Sequence, residues 1–411
     1  MNVFSILNVK GEKIKSYTLG KIFLFLTSVY FLPRGQNYKT YFGLILTMVI
    51  LFFFTYKKNK ISHTKMLVIA FLSFVLFTLI RIFTLNVSLE KDITEVARLF
   101  LPVYLLVMSS SFKGFTFNHL IRILTLVVLV DFSITLMEFF IAYTSDTSIF
   151  KLIKANYWAE THWVSRGRSK GLFSGPGQHA SSSVFFFILF LSNYLFNERS
   201  KKIINLFMIF ILAFIIFATL SRTGLICMLI SFIILILIKF RRKGFKSIFF
   251  LMVLFSLGLF YFLKNNSDKL VRFVSLYESG ISKQTVNDRS SIWNALKEKA
   301  FDNEMYLLIG WGKDYFGEEA RQTDNEYVFM LFFYGLLFLV FFLITTLKFV
   351  LSFFYNFSKK TTVEIAMFTL IIVGYIFAIP SSFFFYIPNL ILFSILTIIN
   401  SNEKNKLIFT S

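Results

Sequence analysis

One cysteine and four histidines in 411 residues leave little room for two kinds of chemistry. Cys227 lies inside an apolar run, so a disulfide framework and a thiolate metal site are excluded. His63, His119, His162 and His179 are scattered, without metal-ligand spacing. No phosphate-binding glycine loop precedes a soluble helix, so no nucleotide-binding domain is expected, nor ATP-driven work. No cleavable signal is evident, because Lys10, Lys13 and Lys15 run straight into an apolar stretch. Charge is scarce too, at 16% of residues against about a quarter in soluble domains. What fills the chain instead is apolar: 56% of residues, including 58 Phe, more than soluble cores of this size can hide. The net charge of +21 therefore reads as membrane orientation, not as nucleic-acid binding.

Apolar runs of spanning length recur from Lys21 to Ile399. Twelve spans are expected, at 17–33, 38–56, 66–85, 96–112, 120–143, 180–196, 203–220, 224–239, 247–263, 327–351, 363–380 and 383–399. The expected fold is an all-α polytopic transmembrane bundle, a single integral membrane domain over residues 1–411. Lys57 to Lys60, Arg199 to Lys202, Arg241 to Lys243 and Lys359-Lys360 fall on one side of this count, with Lys404 and Lys406. Basic short loops stay in the cytoplasm, so both termini are expected there. A first loop at 144–180 and a larger one at 264–326 then face outward. They hold all four Trp, and the larger holds 11 of the 22 acidic residues. A transporter would spread its polar residues along its helices and show two similar halves. This chain shows no repeat, and its chemistry gathers on one face.

In the first outer loop Arg166, Arg168 and Lys170 alternate with Gly167, Ser169 and Gly171, ahead of Phe173, Pro176, Gly177 and His179. Arginine keeps its charge and grips phosphate through two parallel hydrogen bonds, so the loop suits an anionic ligand or a lipid headgroup. Ser221-Arg222-Thr223-Gly224 interrupts two apolar runs; Arg222 either snorkels or points into a cavity to meet phosphate. Asp131 and Glu138, seven residues apart on one helix face, suggest a polar cavity or an ion pair with a neighbouring helix. Arg81 and Arg98 read as interfacial anchors. In the larger loop a helix should start near Asn287 or Asp288, with Ile292, Leu296 and Ala300 on one face, followed by a turn at Gly310-Trp311-Gly312. Asp324 stands where a helix cap would be, and a carboxylate there could instead orient or deprotonate a hydroxyl. His162 and His179 are the other possible bases.

Four of these places together resemble the O-antigen polymerase and O-antigen ligase superfamily of bacterial membrane glycosyltransferases. They are Arg168 through Pro176; Ser221 through Gly224; Asp288-Arg289-Ser290 to Trp293 with Gly310-Trp311-Gly312; and Asp324 through Tyr327 with Gly335. Ten residues separate Arg166 from Gly177, a spacing noted in such polymerases. The resemblance implies transfer of a glycan from an undecaprenyl-pyrophosphate carrier to a sugar hydroxyl, on the outer face of the inner membrane, without metal or cofactor. It implies Asp324, Arg289 and Arg222 as catalytic candidates and Arg166, Arg168, Arg222 and Arg289 as pyrophosphate-binding ones. Trp293, Trp311, Asn325 and His179 are the candidates for sugar contact. Partners would be undecaprenyl-pyrophosphate-linked oligosaccharides and membrane lipid, with a chain-length regulator protein as a further candidate and no nucleic acid. Ligases of the family carry histidine where this chain has Asp324, which favours a polymerase of surface polysaccharide. The alternatives are a ligase acting on lipid A core and a flippase or other transporter of lipid-linked oligosaccharide.

Overall fold

The computed structural model describes residues 16–31, 64–85, 90–143, 168–173, 175–198, 200–243, 294, 296–298, 300, 304–312, 315, 325–355 and 357–410. Among these there are eleven α-helices and no strand. They are α1 (Ser16–Phe31), α2 (Thr64–Leu85), α3 (Glu90–Val107), α4 (Phe117–Tyr143), α5 (Pro176–Phe196), α6 (Lys202–Ala218), α7 (Arg222–Lys243), α8 (Glu326–Phe329), α9 (Leu336–Phe354), α10 (Thr362–Phe377) and α11 (Ile387–Thr410). Helix is what such apolar runs must form in hydrocarbon, where backbone groups find no water.

Among the described residues four helical stretches are long and apolar enough to cross a membrane: Phe117–Glu138, Pro176–Phe196, Arg222–Arg242 and Leu336–Phe354. At about 1.5 Å per residue each reaches roughly the 30 Å hydrocarbon thickness. Thr18–Phe31, Lys202–Ala218 and Thr362–Phe377 are apolar but shorter. The expected spans at 38–56 and 247–263 lie outside the described residues, and the total of twelve depends on them.

The bundle is built around α5. Val184 through Leu191 on that helix have no exposed surface. It packs against α6, α7 and α10. The opposite case is α9, whose Leu337, Ile344, Leu347, Leu351 and Phe354 are exposed, as suits a helix with one face to lipid. At one end of the bundle four amides tie α4, α5 and α6 together. Asn193 Nδ2 donates to Asn205 Oδ1 at 3.1 Å, and Asn197 Nδ2 donates to Asn118 Oδ1 and Asn193 Oδ1, both at 2.8 Å. Between helices in lipid such bonds hold position.

Four expected spans have different limits. The span expected at 96–112 starts earlier, at Glu90, because Asp92 and Glu95 are buried with basic partners rather than left in solvent. The span expected at 327–351 is broken: α8 runs into a π turn, Met330–Tyr334, and stops at Gly335 before α9. The last two spans are separated by residues 378–386 rather than by a three-residue turn at Pro380-Ser381-Ser382.

The break before α9 is a backbone crossing. Gly310 and Gly335 have φ of +78° and +90°, which favour glycine. Trp311 N–H donates to Phe332 O at 2.9 Å, and Leu337 N–H donates to Leu308 O at 3.1 Å. A methyl on Gly310 would sit 2.6 Å from Gly335 N and Phe333 O. Gly335→Ala is therefore expected to destabilise the protein by at least about 1–3 kcal/mol through backbone strain alone. Thermal unfolding of the purified protein in detergent checks this; an unchanged midpoint would mean that the crossing relaxes freely.

Candidate functional site

The first polar cluster forms where residues 168–173 fold back onto α4. Glu138 Oε2 accepts from Ser169 Oγ at 2.6 Å and from the N–H groups of Lys170 and Gly171 at 2.9 Å. Asp131 Oδ1 accepts from Leu172 N–H at 2.9 Å, and Asp131 Oδ2 lies 2.8 Å from His179 Nε2 on α5. Asp131 and His179 are wholly buried. Seven residues put both acids on one face of α4, two turns apart. Phe173 stacks on the His179 ring, with centroids 5.2 Å apart. The neighbouring-helix partner expected for these acids is thus found for Asp131 alone, as a histidine, while Glu138 bonds the 169–171 segment.

The same segment lies on the α6–α7 corner. Ser169 N–H donates to Ala218 O at 2.9 Å, and Arg168 Nε donates to Thr219 O at 3.1 Å. The corner turns at Leu220, a non-glycine residue at φ +49°, a conformation that costs about 1–3 kcal/mol and that clusters at functional sites. Ser221 Oγ accepts from Gly224 N–H at 3.2 Å and so caps α7. Arg222 is the first residue of that helix and half-buried. Two basic segments fifty residues apart in sequence therefore meet at one corner.

The second cluster surrounds Glu326, the first residue of α8. Its Oε2 accepts from Phe383 and Phe384 N–H at 3.1 and 3.0 Å, and its Oε1 accepts from Phe385 N–H at 2.6 Å. This is why residues 383–385 are not helical. Burial pushes the Glu326 carboxyl up, to about 7, against the lowering pull of those donors and of Arg98. Arg98 pairs with Glu95 at 2.9 Å, and Glu95 also accepts from Tyr334 Oη at 2.6 Å. Arg81 is 1% exposed; it donates to Ile309 O at 2.9 Å and lies 3.8 Å from Asp92. Neither arginine is the interfacial anchor expected, because Asp92 and Glu95, one turn apart, draw both inward.

Asn389 of α11 joins the clusters. It accepts from Ser182 Oγ at 3.0 Å and donates to Ser181 Oγ at 2.8 Å and to Phe383 O at 3.0 Å. Polar groups thus continue from Asp131 and His179, along the start of α5, to the chain that Glu326 holds.

Of the sequence candidates, Arg168 and Arg222 come together at the corner. Arg166, Arg289, Trp293 and Asp324 lie outside the described residues, as does His162. Helix capping falls to Asn325, not Asp324: Asn325 Oδ1 accepts from Tyr327 and Val328 N–H at 2.9 and 3.1 Å. Trp311 and His179 are enclosed by protein, Trp311 at 1% exposure against Phe332. In the larger loop Leu296 and Ala300 are buried and Asn294, Lys297 and Glu298 exposed, all on helical backbone. Sequence reasoning missed Glu326 as an acceptor; its signal was an acid directly before an apolar run. Among the described residues no group of three His, Cys, Asp or Glu could hold a metal ion.

Glu326→Gln tests the second anchor. One of its acceptor oxygens becomes an NH2 that faces backbone donors, so a loss of about 1–3 kcal/mol of stability is expected. A lower unfolding midpoint in detergent is the readout, and an equal midpoint would remove Glu326 as an anchor.

Residues 207–343 match the family model described as O-antigen ligase. No curated protein matches the chain. The matched stretch opens inside α6, includes the Leu220–Arg222 corner and Glu326, and closes in α9 beyond Gly335. It takes in the Ser221 to Gly224 and Asp324 to Tyr327 motifs, whereas the Arg168 to Pro176 segment and both acids of α4 precede it. Four helical stretches suited to crossing a membrane and this match, over about a third of the chain, together support the O-antigen ligase and polymerase superfamily.

Proposed function

We propose that this protein polymerises a surface polysaccharide, transferring a glycan from undecaprenyl pyrophosphate to a hydroxyl of a second lipid-linked repeat unit. The observation that carries this reading is the approach of the Arg168 and Arg222 segments at the α6–α7 corner. In the reaction the acceptor oxygen bonds the anomeric carbon as the carbon–oxygen bond to pyrophosphate breaks. Charge builds on the departing pyrophosphate. Fixed guanidinium groups stabilise that charge without reorganising at the moment of reaction. Arg222 and Arg168 would meet the pyrophosphate, with Arg166 and Arg289 beside them. Asp324 would orient the acceptor hydroxyl and take its proton, with Trp293 and Asn325 near the sugar. The outward end of the bundle would then be periplasmic, both termini cytoplasmic, and the prenyl chains would lie along the apolar helices of the inner membrane.

A second reading is ligation to lipid A core, favoured by the description of the matched family. Deleting the gene and separating surface polysaccharide on a gel decides between them. Loss of a polymerase leaves single repeats on the acceptor, and loss of a ligase leaves none. An unchanged ladder would sink both readings.

Two substitutions test the assigned roles. Arg222→Lys keeps charge but loses the two-pronged grip, a loss of roughly 1.5–3 kcal/mol for a hydrogen bond to a charged group, or about ten- to a hundredfold in chain extension. Normal chain lengths at normal protein levels would leave Arg222 a snorkelling residue. Because Asn325 already caps α8, Asp324→Asn leaves the cap in place and removes only the charge. The expected outcome is a shortened or absent ladder, whereas a full ladder would take Asp324 out of the mechanism.

A further inference from the structure

We propose that Asp131 and Glu138 are positioning residues for pyrophosphate recognition, fixing where Arg168 stands relative to Arg222. The proposal rests on the reading above, that these arginines meet a polyprenyl pyrophosphate.

The two arginines are placed by different means. Arg222 begins a helix, and the Ser221 cap sets its position. Arg168 belongs to no helix, so the course of residues 168–173 decides where its guanidinium lies. On the α4 side that course is set by the N–H groups of Lys170, Gly171 and Leu172 and by the Ser169 hydroxyl, all donating to the two acids. Three consecutive N–H groups held on one side fix the register, because a slip of one residue would put the Ser169 hydroxyl out of reach of Glu138. The acids are 0% and 5% exposed, so water cannot replace them as acceptors. His179 holds the second oxygen of Asp131 and stops its carboxylate from turning.

Gly171 closes the fit. At φ +51° it takes a conformation that favours glycine, and a methyl there would land on Asp131 Oδ1 and within 2.6 Å of His179 Cε1. Among the described residues neither acid bonds an arginine. Their influence on Arg168 therefore passes through the backbone, not through charge neutralisation. The far side of the segment is fastened to the carbonyls of Ala218 and Thr219, directly before Leu220 and Arg222. Acids on α4 thus set a guanidinium against a corner made by two other helices.

Binding to the full-length protein in lipid nanodiscs tests this, with undecaprenyl pyrophosphate and uncharged undecaprenol as probes. Glu138→Ala is expected to weaken undecaprenyl pyrophosphate at least about tenfold while undecaprenol binds as before. Glu138→Gln, which keeps an acceptor oxygen, should recover part of the loss. Adding Arg168→Ala to Glu138→Ala should cost little more, since the acid acts through that arginine. Wild-type preference for the pyrophosphate in Glu138→Ala and Asp131→Asn, with the preference lost in Arg222→Lys, overturns the positioning role and leaves the pyrophosphate reading intact. A wild-type protein that binds both probes equally overturns both. Equal loss of both probes in Glu138→Gln assigns the acids to folding alone and overturns the proposal.

Discussion

Backbone that leaves the helix where the protein encloses it must find its hydrogen-bond partners within the protein, because buried amides have no water to turn to. Two stretches of this chain do so in the same way. The N–H groups of residues 170–172 are taken by Glu138 and Asp131, and those of residues 383–385 by Glu326. In each case consecutive donors face buried carboxylate oxygens. Removing one acid would leave up to three buried amides unpaired, each at a cost of roughly 1–3 kcal/mol.

What these anchors hold is the polar end of the bundle. The first presses the Arg168 segment onto the α6–α7 corner. The second holds the non-helical residues 383–385 in place, so that Asn389 can bond Phe383 O and the serines of α5. Positive charge is handled separately from this frame. Arg81 is buried beside Asp92 and the partly exposed Arg98 pairs with Glu95, while Arg168 and Arg222 stand at the corner that the frame creates. Chemistry that needs fixed cations benefits from such a division, since preorganised charge does not rearrange when an anionic leaving group departs.

Much of this was legible in the sequence. Long apolar runs gave helices because lipid leaves them no other form, and Ser221-Arg222-Thr223-Gly224 marked a true corner. Asp131 and Glu138 were visible as a same-face pair, but their partners were not. Backbone amides carry no sequence signal, so acids that bond N–H groups look the same as acids that bond arginines. Arg81 and Arg98 were misread as anchors for the same reason: only the fold shows Asp92 and Glu95 turned toward them. Asp324 and Asn325 both suit a cap, and one residue of register decided between them. The π turn before Gly335 had no periodicity to announce it, since the run from Tyr327 to Ile344 is apolar throughout.

An anchor that reads main chain is indifferent to side chains. Every residue except proline presents the same amide, so a loop held this way can change its lettering and keep its path. That separates two tasks, holding the path of the chain and presenting side chains along it. The acids of α4 and α8 preserve the route of the chain past the corner, while the residues along that route stay open to revision. Side-chain identity then matters at the three carboxylates and, among the residues they hold, at Ser169 and Gly171, whose hydroxyl and missing Cβ are part of the fit.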